Sequence, residues 1–466
     1  MTGGIFMSQD YRTEKDSMGE VKVLSKALYA AQTQRAVDNF SISGLTLPTQ
    51  LIQAIAMVKA SAAGANAKIG QLEKEQAGAI IKAAKEIING QHLEHFPIDV
   101  FQTGSGTSSN MNVNEVIANL AKQNGVEIHP NDHVNQSQSS NDVIPTAIQV
   151  ASVLAVEKQL EPALKGLIDT IRKKAIELRN VVKTGRTHLM DAMPMTMAQE
   201  LEAWAGQLDI TAEQLPQLLQ RSRVLPQGGT AIGTGINAPK EFAAEFAEQL
   251  TQLSGSDFKH SANPFTGIAG QEINLQLSAQ LNTLATTLLK VSNDLRWMNS
   301  GPLAGLGEIQ LTALQPGSSI MPGKVNPVIP EAVAMVAAQV NGNHTTITTA
   351  AQQGNFQLNV MLPVIGYNLL QSINILSNSC EALASKAIAD FEVNEERLQQ
   401  ALAKNPILVT ALNPVIGYNK AAEIAKVAYK DGRAIIDVAD EMTDLGRDRL
   451  EHLLDPKKLT EGGVSE

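Results

Sequence analysis

A helical repeat dominates the chain. Leu277, Leu281, Leu284, Leu288, Val291 and Leu295 fall alternately four and three residues apart, which puts all six on one face of a 3.6-residue helix. Leu369, Ile373, Leu376, Cys380 and Leu383 repeat the rule, as do Leu160, Leu164, Leu167 and Ile171. Stripes this long mark core, and they predict long helices packed nearly parallel as a bundle. Beside the Leu277 stripe stand Asn274, Gln276, Ser278, Gln280, Asn282 and Thr283, with very little charge. A solvated helix face usually shows Glu and Lys, so this face is expected to pack against another subunit. The β-like runs, such as Val21-Lys22-Val23, are short. After about residue 397, Asn405-Pro406, Asn413-Pro414, Gly417 and Gly432 break the pattern into small helices and predict a separate C-terminal unit.

Composition narrows the class. Apolar residues make up 43% of the 466 residues, enough for a sizeable core, and with 4% aromatics that core must be aliphatic. The chain carries 37 Lys+Arg against 47 Asp+Glu, a net charge of −10. Nucleic acid and membrane surfaces both call for a basic face, so neither is an expected partner. A lone cysteine, Cys380, excludes a disulfide framework and a protein-held iron–sulfur cluster. Residues Met1 to Met7 lack a charged segment followed by an apolar run, and no run of about 20 apolar residues occurs anywhere. The expectation is a soluble cytoplasmic protein, and at this size an enzyme.

The chemistry lies in polar stretches between the helical ones. Thr103-Gly-Ser-Gly-Thr107 leads into a helix predicted to begin near Met111. Glycines allow close backbone approach, and free N–H groups at a helix start with hydroxyls beside them make an anion cradle. No Gly-Lys-Ser/Thr follows, so this is not a nucleotide-phosphate loop. Ser139-Ser140-Asn141-Asp142 holds more cap-type residues than one helix start needs, with Pro145 expected in the first turn. His129 and His133 flank Asp132. Pro130 disfavours a regular helix there and no metal-binding spacing accompanies them, so anion binding or turn capping is the better reading. His188 follows Arg186 and Thr187, both anion donors, and an imidazole is the natural proton carrier at neutral pH. Gly317-Ser-Ser-Ile-Met-Pro-Gly-Lys-Val-Asn326 is a long Gly-hinged polar loop within the stretch from Gly301 to Pro330. Loops of this length are usually functional, often lids. Lys324 and Asn326 suit a carboxylate, and Glu331 could orient a histidine through its ring N–H.

The 317–326 loop resembles the signature of the aspartase/fumarase superfamily. Glu14-Lys-Asp-Ser-Met-Gly19, Gln32-Thr-Gln-Arg35, Thr103 to Thr107, Asn110-Met-Asn-Val-Asn-Glu115, His129 to Asp132, Ser137 to Asp142 and Leu408 to Asn413 resemble class II fumarate hydratases. The resemblance runs from about residue 11 into the C-terminal unit. Gly185-Arg-Thr-His188 is similar to fumarases, whereas aspartases typically carry Gln at the His188 position. Aspartate ammonia-lyase is thus the nearest alternative, and Val325 to Glu331 does not discriminate. Met190 replaces a Gln common after Thr-His-Leu, expected to be a packing change only.

The resemblance implies a mainly α fold of three domains: 1–142 mixed but mostly helical, 143–396 a central long-helix bundle, and 397–466 small and helical. Four chains would build a twenty-helix core, with active sites shared between chains. The implied reaction is reversible hydration of fumarate to (S)-malate in the tricarboxylic acid cycle. Ser318 would be the base and His188 the proton donor working through water, supported by Glu331. Ser105, Gly106, Thr107, Ser139, Ser140, Asn141, Thr187, Ser319, Lys324, Val325 and Asn326 would bind the dicarboxylate. A second anion site would lie at His129, Pro130, Asn131 and Asp132. Some fumarases carry an Arg three residues before that motif, and Val126 stands there in this chain. No metal or organic cofactor is implied, because no redox step occurs. A non-enzymatic helical assembly would account for the apolar stripes but not for Thr107, Asn141, His188, Lys324 and Asn326 in separate loops.

Overall fold

A computed structural model describes residues 10–463; the reading of Met1 to Met7 lies outside them. The protein is mainly helical. An antiparallel hairpin opens the chain, with β1 (Tyr11–Asp16) paired to β2 (Gly19–Leu24). Then come α1 (Ala31–Asn39), α2 (Thr49–Lys68), α3 (Lys74–Ile88), α4 (Thr107–Gln123), α5 (Ser140–Ala155) and α6 (Glu161–Glu177). A second hairpin, β3 (Val182–Thr187) and β4 (Met190–Thr196), precedes α7 (Met197–Ser222), α8 (Phe242–Ser254), α9 (Pro264–Ala269) and α10 (Glu272–Met298). The long helices α11 (Val328–Ala351) and α12 (Leu362–Leu383) follow, then α13 (Glu395–Ala403). Short helices fill the rest, as the breakers after residue 397 predict. Among the described residues no helix is long and apolar enough to cross a membrane.

The chain forms two compact units. Of the described residues, the first comprises 10–162, 213–285 and 338–377, and the second 163–212, 286–337 and 378–463. In the first, α2 packs on α3, α5 and α8. Its sequence from Ala54 to Ala63 is Ala-rich and buried nearly throughout, so neighbouring backbones come close. In the second, Leu408, Leu412, Ile424, Ile435, Val438, Leu450 and Leu453 form a small core of their own. Every residue of the three predicted stripes is buried.

Three expectations need correction. Asn274, Ser278 and Gln280 are buried within this chain, and Ser278 Oγ lies 3.0 Å from His344 Nδ1. Asn274 Nδ2 donates to Gln271 Oε1 at 2.7 Å, so these three of the six polar positions are covered by this chain and are not available to another subunit. The helix expected near Met111 begins at Thr107, one turn earlier, because Gly106 adopts a left-handed conformation (φ 72°) and serves as its N-cap. Pro145 sits in the second turn of α5 and not the first, since the helix is already capped at Ser139.

Candidate functional site

The predicted site residues fall in both units. Ser105 to Thr107, His129 to Asp132 and Ser139 to Asn141 belong to the first, whereas Thr187, His188 and residues 318–331 belong to the second.

The first unit holds two helix starts. At α4, Ser105 Oγ and Thr107 Oγ1 lie 2.9 Å apart, and Gln102 Oε1 accepts from Ser109 N and Oγ. The N–H groups of Thr107 and Ser108 have no partner among the described residues, which is the anion cradle expected of a helix start. Gly104 makes this geometry possible. Its carbonyl accepts from Leu362 N at 2.9 Å, and a Cβ at Gly104 would stand 1.8 Å from Val360 O.

At α5, Ser139 Oγ accepts from Asn141 N (3.3 Å), and Asp142 Oδ1 accepts from Ser139 N (2.9 Å) in a capping box. The other oxygen of Asp142 accepts from Gln227 Nε2 and from Gly228 and Thr230 N–H at 2.9–3.0 Å. Asn141 Nδ2 donates to Ala231 O at 2.7 Å. The 227–231 loop, more than eighty residues away in sequence, therefore positions the serine pair. Burial pushes Asp142 up to about 6 against these hydrogen bonds, and pushes Lys59 down to about 7 against the pull of Asp142. Lys59 is fully buried in α2 and donates to Asn135 Oδ1 (2.9 Å) and Gln138 Oε1 (3.1 Å). Sequence reasoning missed it, although a single Lys inside the run Ala54 to Ala63 is a visible signal.

His129 caps the turn that follows it. Its Nδ1 accepts from Asp132 N (3.1 Å), and His133 Nδ1 accepts from His129 N (2.9 Å). The turn capping is thus formed, and His129, Asn131 and Asp132 remain exposed.

In the second unit, His188 does not lie in a helix-to-helix loop. It is the first central residue of the two-residue turn joining β3 and β4, with φ 56°, followed by Leu189 at φ 61°. Two positive φ values define the mirror-image turn that suits hairpin twist, normally built from Asn-Gly. A His-Leu pair there costs roughly 1–2 kcal/mol per residue. The hairpin is held from behind. Glu308 is buried, paired to Lys183 Nζ at 3.0 Å and to Arg186, and Lys183 reaches Glu200 at 2.6 Å. Burial raises the Glu308 carboxyl, but Arg186 and Lys183 outweigh it and keep it below the usual carboxylate range. A cavity of about 330 Å³ opens beside this network, lined by Lys183, Arg186, Leu189, Trp297 and Met298 among others. His188 and Thr187 project from it exposed.

The 317–326 loop is closed by its own polar atoms. Gly317 N donates to Lys324 O at 2.8 Å, and Asn326 Nδ2 donates to Gly317 O at 2.8 Å. A Cβ at Gly317 would meet Lys324 O at 2.6 Å, so glycine is required. Asn326 therefore commits one amide hydrogen to loop closure. Ser318 Oγ accepts from Met321 N (3.0 Å) and Ile320 N (3.3 Å). Two N–H groups aimed at a hydroxyl oxygen stabilise it as an oxyanion. Ser319, Lys324 and Val325 are exposed on the same loop. Glu331 lies in the first turn of α11, half-buried, and makes no hydrogen bond to His188 within the chain.

The chain is similar to known proteins over nearly its whole length. A family model described as Lyase matches residues 19–342, and one described as Fumarase C C-terminus matches residues 408–461. A protein of Pseudomonas aeruginosa named fumarate hydratase class II 2 is 57% identical over 456 residues, covering 98% of this chain and 100% of that one. The fumarate hydratase class II of Mycobacterium tuberculosis is 50% identical, over 92% of this chain and 90% of its own. Among solved structures, the recombinant class II fumarase from Schistosoma mansoni matches with TM-score 0.94 at 39% identity, covering 97% of this chain and 99% of that one. A fumarate lyase:delta crystallin from Brucella melitensis bound to cobalt matches with TM-score 0.92 at 44% identity, covering 97% and 100%.

Proposed function

Because the chain belongs to the class II fumarate hydratases of the aspartase/fumarase superfamily, we propose that its polar loops divide the chemistry of that reaction among themselves. The protein is an enzyme of the tricarboxylic acid cycle that interconverts fumarate and malate. The proposal concerns which residues do it.

Ser318 removes the proton from the carbon beside one malate carboxylate. That proton is very weakly acidic, so the carbanion persists only as an aci-carboxylate held by preorganised donors. Lys324, Asn326 and the loop backbone supply them, with Ser319 and Val325 shaping the same contact. On the opposite face His188, with Glu331 behind it, acts through water to protonate the departing hydroxide. Ser105, Gly106, Thr107, Ser139, Ser140, Asn141 and Thr187 hold the carboxylates. His129, Pro130, Asn131 and Asp132 form a second, outer anion contact without the Arg replaced by Val126. These roles need no electron acceptor, and we assign each of them to a side chain or a backbone N–H.

The observation that carries this reading is the pair of N–H groups on Ser318 Oγ. A serine alkoxide is out of reach in water, and donors already aimed at the oxygen lower that cost before substrate arrives.

Assembly is part of the proposal. We assign the chain three domains, at 1–142, 143–396 and 397–466, and a homotetramer with a twenty-helix core whose active sites draw residues from several chains. Helix α11 supports this. Glu331 is its only acidic or basic residue other than His344, yet Met335, Ala338, Gln339, Gly342 and Thr346 are exposed along it. An uncharged exposed stripe on a 24-residue helix suits protein contact better than solvent. The cytoplasm is the setting in which this reaction and assembly are placed. The test is an absorbance assay at the fumarate band with malate and L-aspartate supplied separately. Malate yields fumarate and aspartate does not; comparable kcat/KM on aspartate would overturn the role given to His188.

A further inference from the structure

A chain of hydrogen bonds leads from the buried Lys59 to Ser140. Lys59 Nζ donates to Asn135 Oδ1 at 2.9 Å. The same oxygen accepts from Asn110 Nδ2 at 3.1 Å and from Asn114 Nδ2 at 3.2 Å. The remaining donor capacity of Asn110 Nδ2 goes to Ser140 Oγ at 3.1 Å. Lys59, Asn110 and Asn114 are all essentially inaccessible to solvent.

The direction of this chain is fixed at Asn135, by Lys59 on its oxygen and the Gln138 carbonyl on its nitrogen. Lys59 Nζ directs its N–H groups at Asn135 and Gln138 Oε1, so Asn135 turns its carbonyl oxygen toward Lys59. Its own Nδ2 then faces Gln138 O, at 3.2 Å. With Asn135 presenting oxygen, Asn110 must present its NH2. Ser140 Oγ thereby becomes an acceptor, and its one hydrogen is left free to donate outward. Were the amides reversed, Ser140 would give its hydrogen to Asn110 and have none for a bound anion. Asn110 Oδ1 and Asn114 Oδ1 are buried without a hydrogen-bond partner among the described residues. An unpaired buried carbonyl is costly, so the orientation is imposed from elsewhere in the network.

We propose that Lys59 is a positioning residue: through Asn135 and Asn110 it sets the donor polarity of Ser140, so that the hydroxyl donates to a carboxylate of the substrate. The proposal rests on the reading of Ser139 to Asn141 as a substrate-binding loop. Lys59 does not touch the substrate, and its N–H donors serve to orient three amides. Removing it takes away the stronger of the two holds on Asn135 and leaves the Gln138 carbonyl alone, at 3.2 Å, to oppose reversal of the amides.

The experiment is a double-mutant cycle on KM and kcat for fumarate and malate, with secondary structure and oligomer mass checked for each variant. Ser140→Ala removes a hydrogen bond to a charged group and raises KM about tenfold. Lys59→Met, close in volume, raises KM by a similar factor with kcat changed less than about threefold. In the Ser140→Ala background Lys59→Met adds less than about twofold, because its effect travels through the missing hydroxyl. Asn110→Asp is the second route: a carboxylate accepts the Ser140 hydrogen and reverses the polarity directly. It raises KM in the wild-type background and adds little to Ser140→Ala, so the test stands even where Lys59→Met fails to fold. A Ser140→Ala protein with unchanged KM would overturn the binding-loop reading and this proposal with it. If Ser140→Ala raises KM but Lys59→Met and Asn110→Asp do not, or if either adds its full factor without Ser140, the proposal falls and the binding loop stands.

Discussion

Replacing Gly104 by alanine isolates the role of the α4 anion cradle. The added methyl would stand 1.8 Å from Val360 O, 2.5 Å from Val360 C and 2.9 Å from Val360 Cβ. No rotamer relieves this, since the obstructing atoms are largely backbone. The two strands of chain must separate by roughly 1.5 Å to reach an ordinary C···O contact of about 3.3 Å. Separation also weakens the Leu362 N–H to Gly104 O bond, now 2.9 Å. Overpacking of this kind costs about 1–3 kcal/mol of stability. The larger effect falls on Ser105, Gly106 and Thr107, which follow directly. A misplacement of about 1 Å in a substrate-holding group costs on the order of 10²-fold, which is roughly 2.7 kcal/mol of transition-state stabilisation. The assay is kcat/KM for malate dehydration, with circular dichroism to show that the helices persist. Gly78→Ala is the control. Gly78 lies in α3, where an added Cβ would meet nothing within 4 Å, so alanine there gains roughly 0.5–1 kcal/mol and leaves activity unchanged. A Gly104→Ala protein that is destabilised yet keeps kcat/KM within about threefold would refute the assignment of this cradle to the substrate carboxylate.

Three other outcomes are expected. Ser318→Ala and His188→Asn each lower kcat by roughly 10²–10⁴ with the fold intact, and co-refolding the two inactive proteins restores part of the activity through hybrid tetramers; hybrids seen by mass but inactive would sink the shared site. Glu308→Leu takes the carboxylate from the half-buried Arg186 and leaves Lys183 with Glu200 alone, at a cost of up to about 3–5 kcal/mol, read as faster thermal inactivation; an unchanged inactivation rate would deny that this network holds the His188 hairpin. Burial raises Asp99, but hydrogen bonds from Phe101 N, Ser43 N and Oγ, and Gly44 N outweigh it and bring it down to about 2. Its folded value lies below its unfolded one, so its contribution is complete above about pH 4 and is lost as pH falls toward 2. Asp99→Asn flattens that acid limb in a denaturation series, and an unaltered acid limb would show that the carboxylate contributes nothing to it.

What the chain by itself determined is what short-range rules govern. Apolar residues four and three apart must share a helix face, and every member of the three stripes is buried. Ser139 three residues before Asp142 is a local capping motif, and it forms as such. Gly317 and Asn326 sit nine apart in a loop that closes on itself, so the loop was legible from its own residues. The tertiary structure decided what depends on partners distant in sequence. Thr187-His188-Leu189-Met190 lacks the Asn-Gly that usually signals a two-residue hairpin turn, and the hairpin is held where Lys183 and Arg186 find Glu308, more than 120 residues away. Asn274, Ser278 and Gln280 read as an outward face because polarity alone does not say whether water or the rest of the chain covers it. The polarity of Ser140 is set by Lys59, eighty residues earlier, through two amides whose orientation no local pattern encodes. Helix periodicity is written in the order of residues, whereas the direction of a hydrogen bond belongs to the network that contains it.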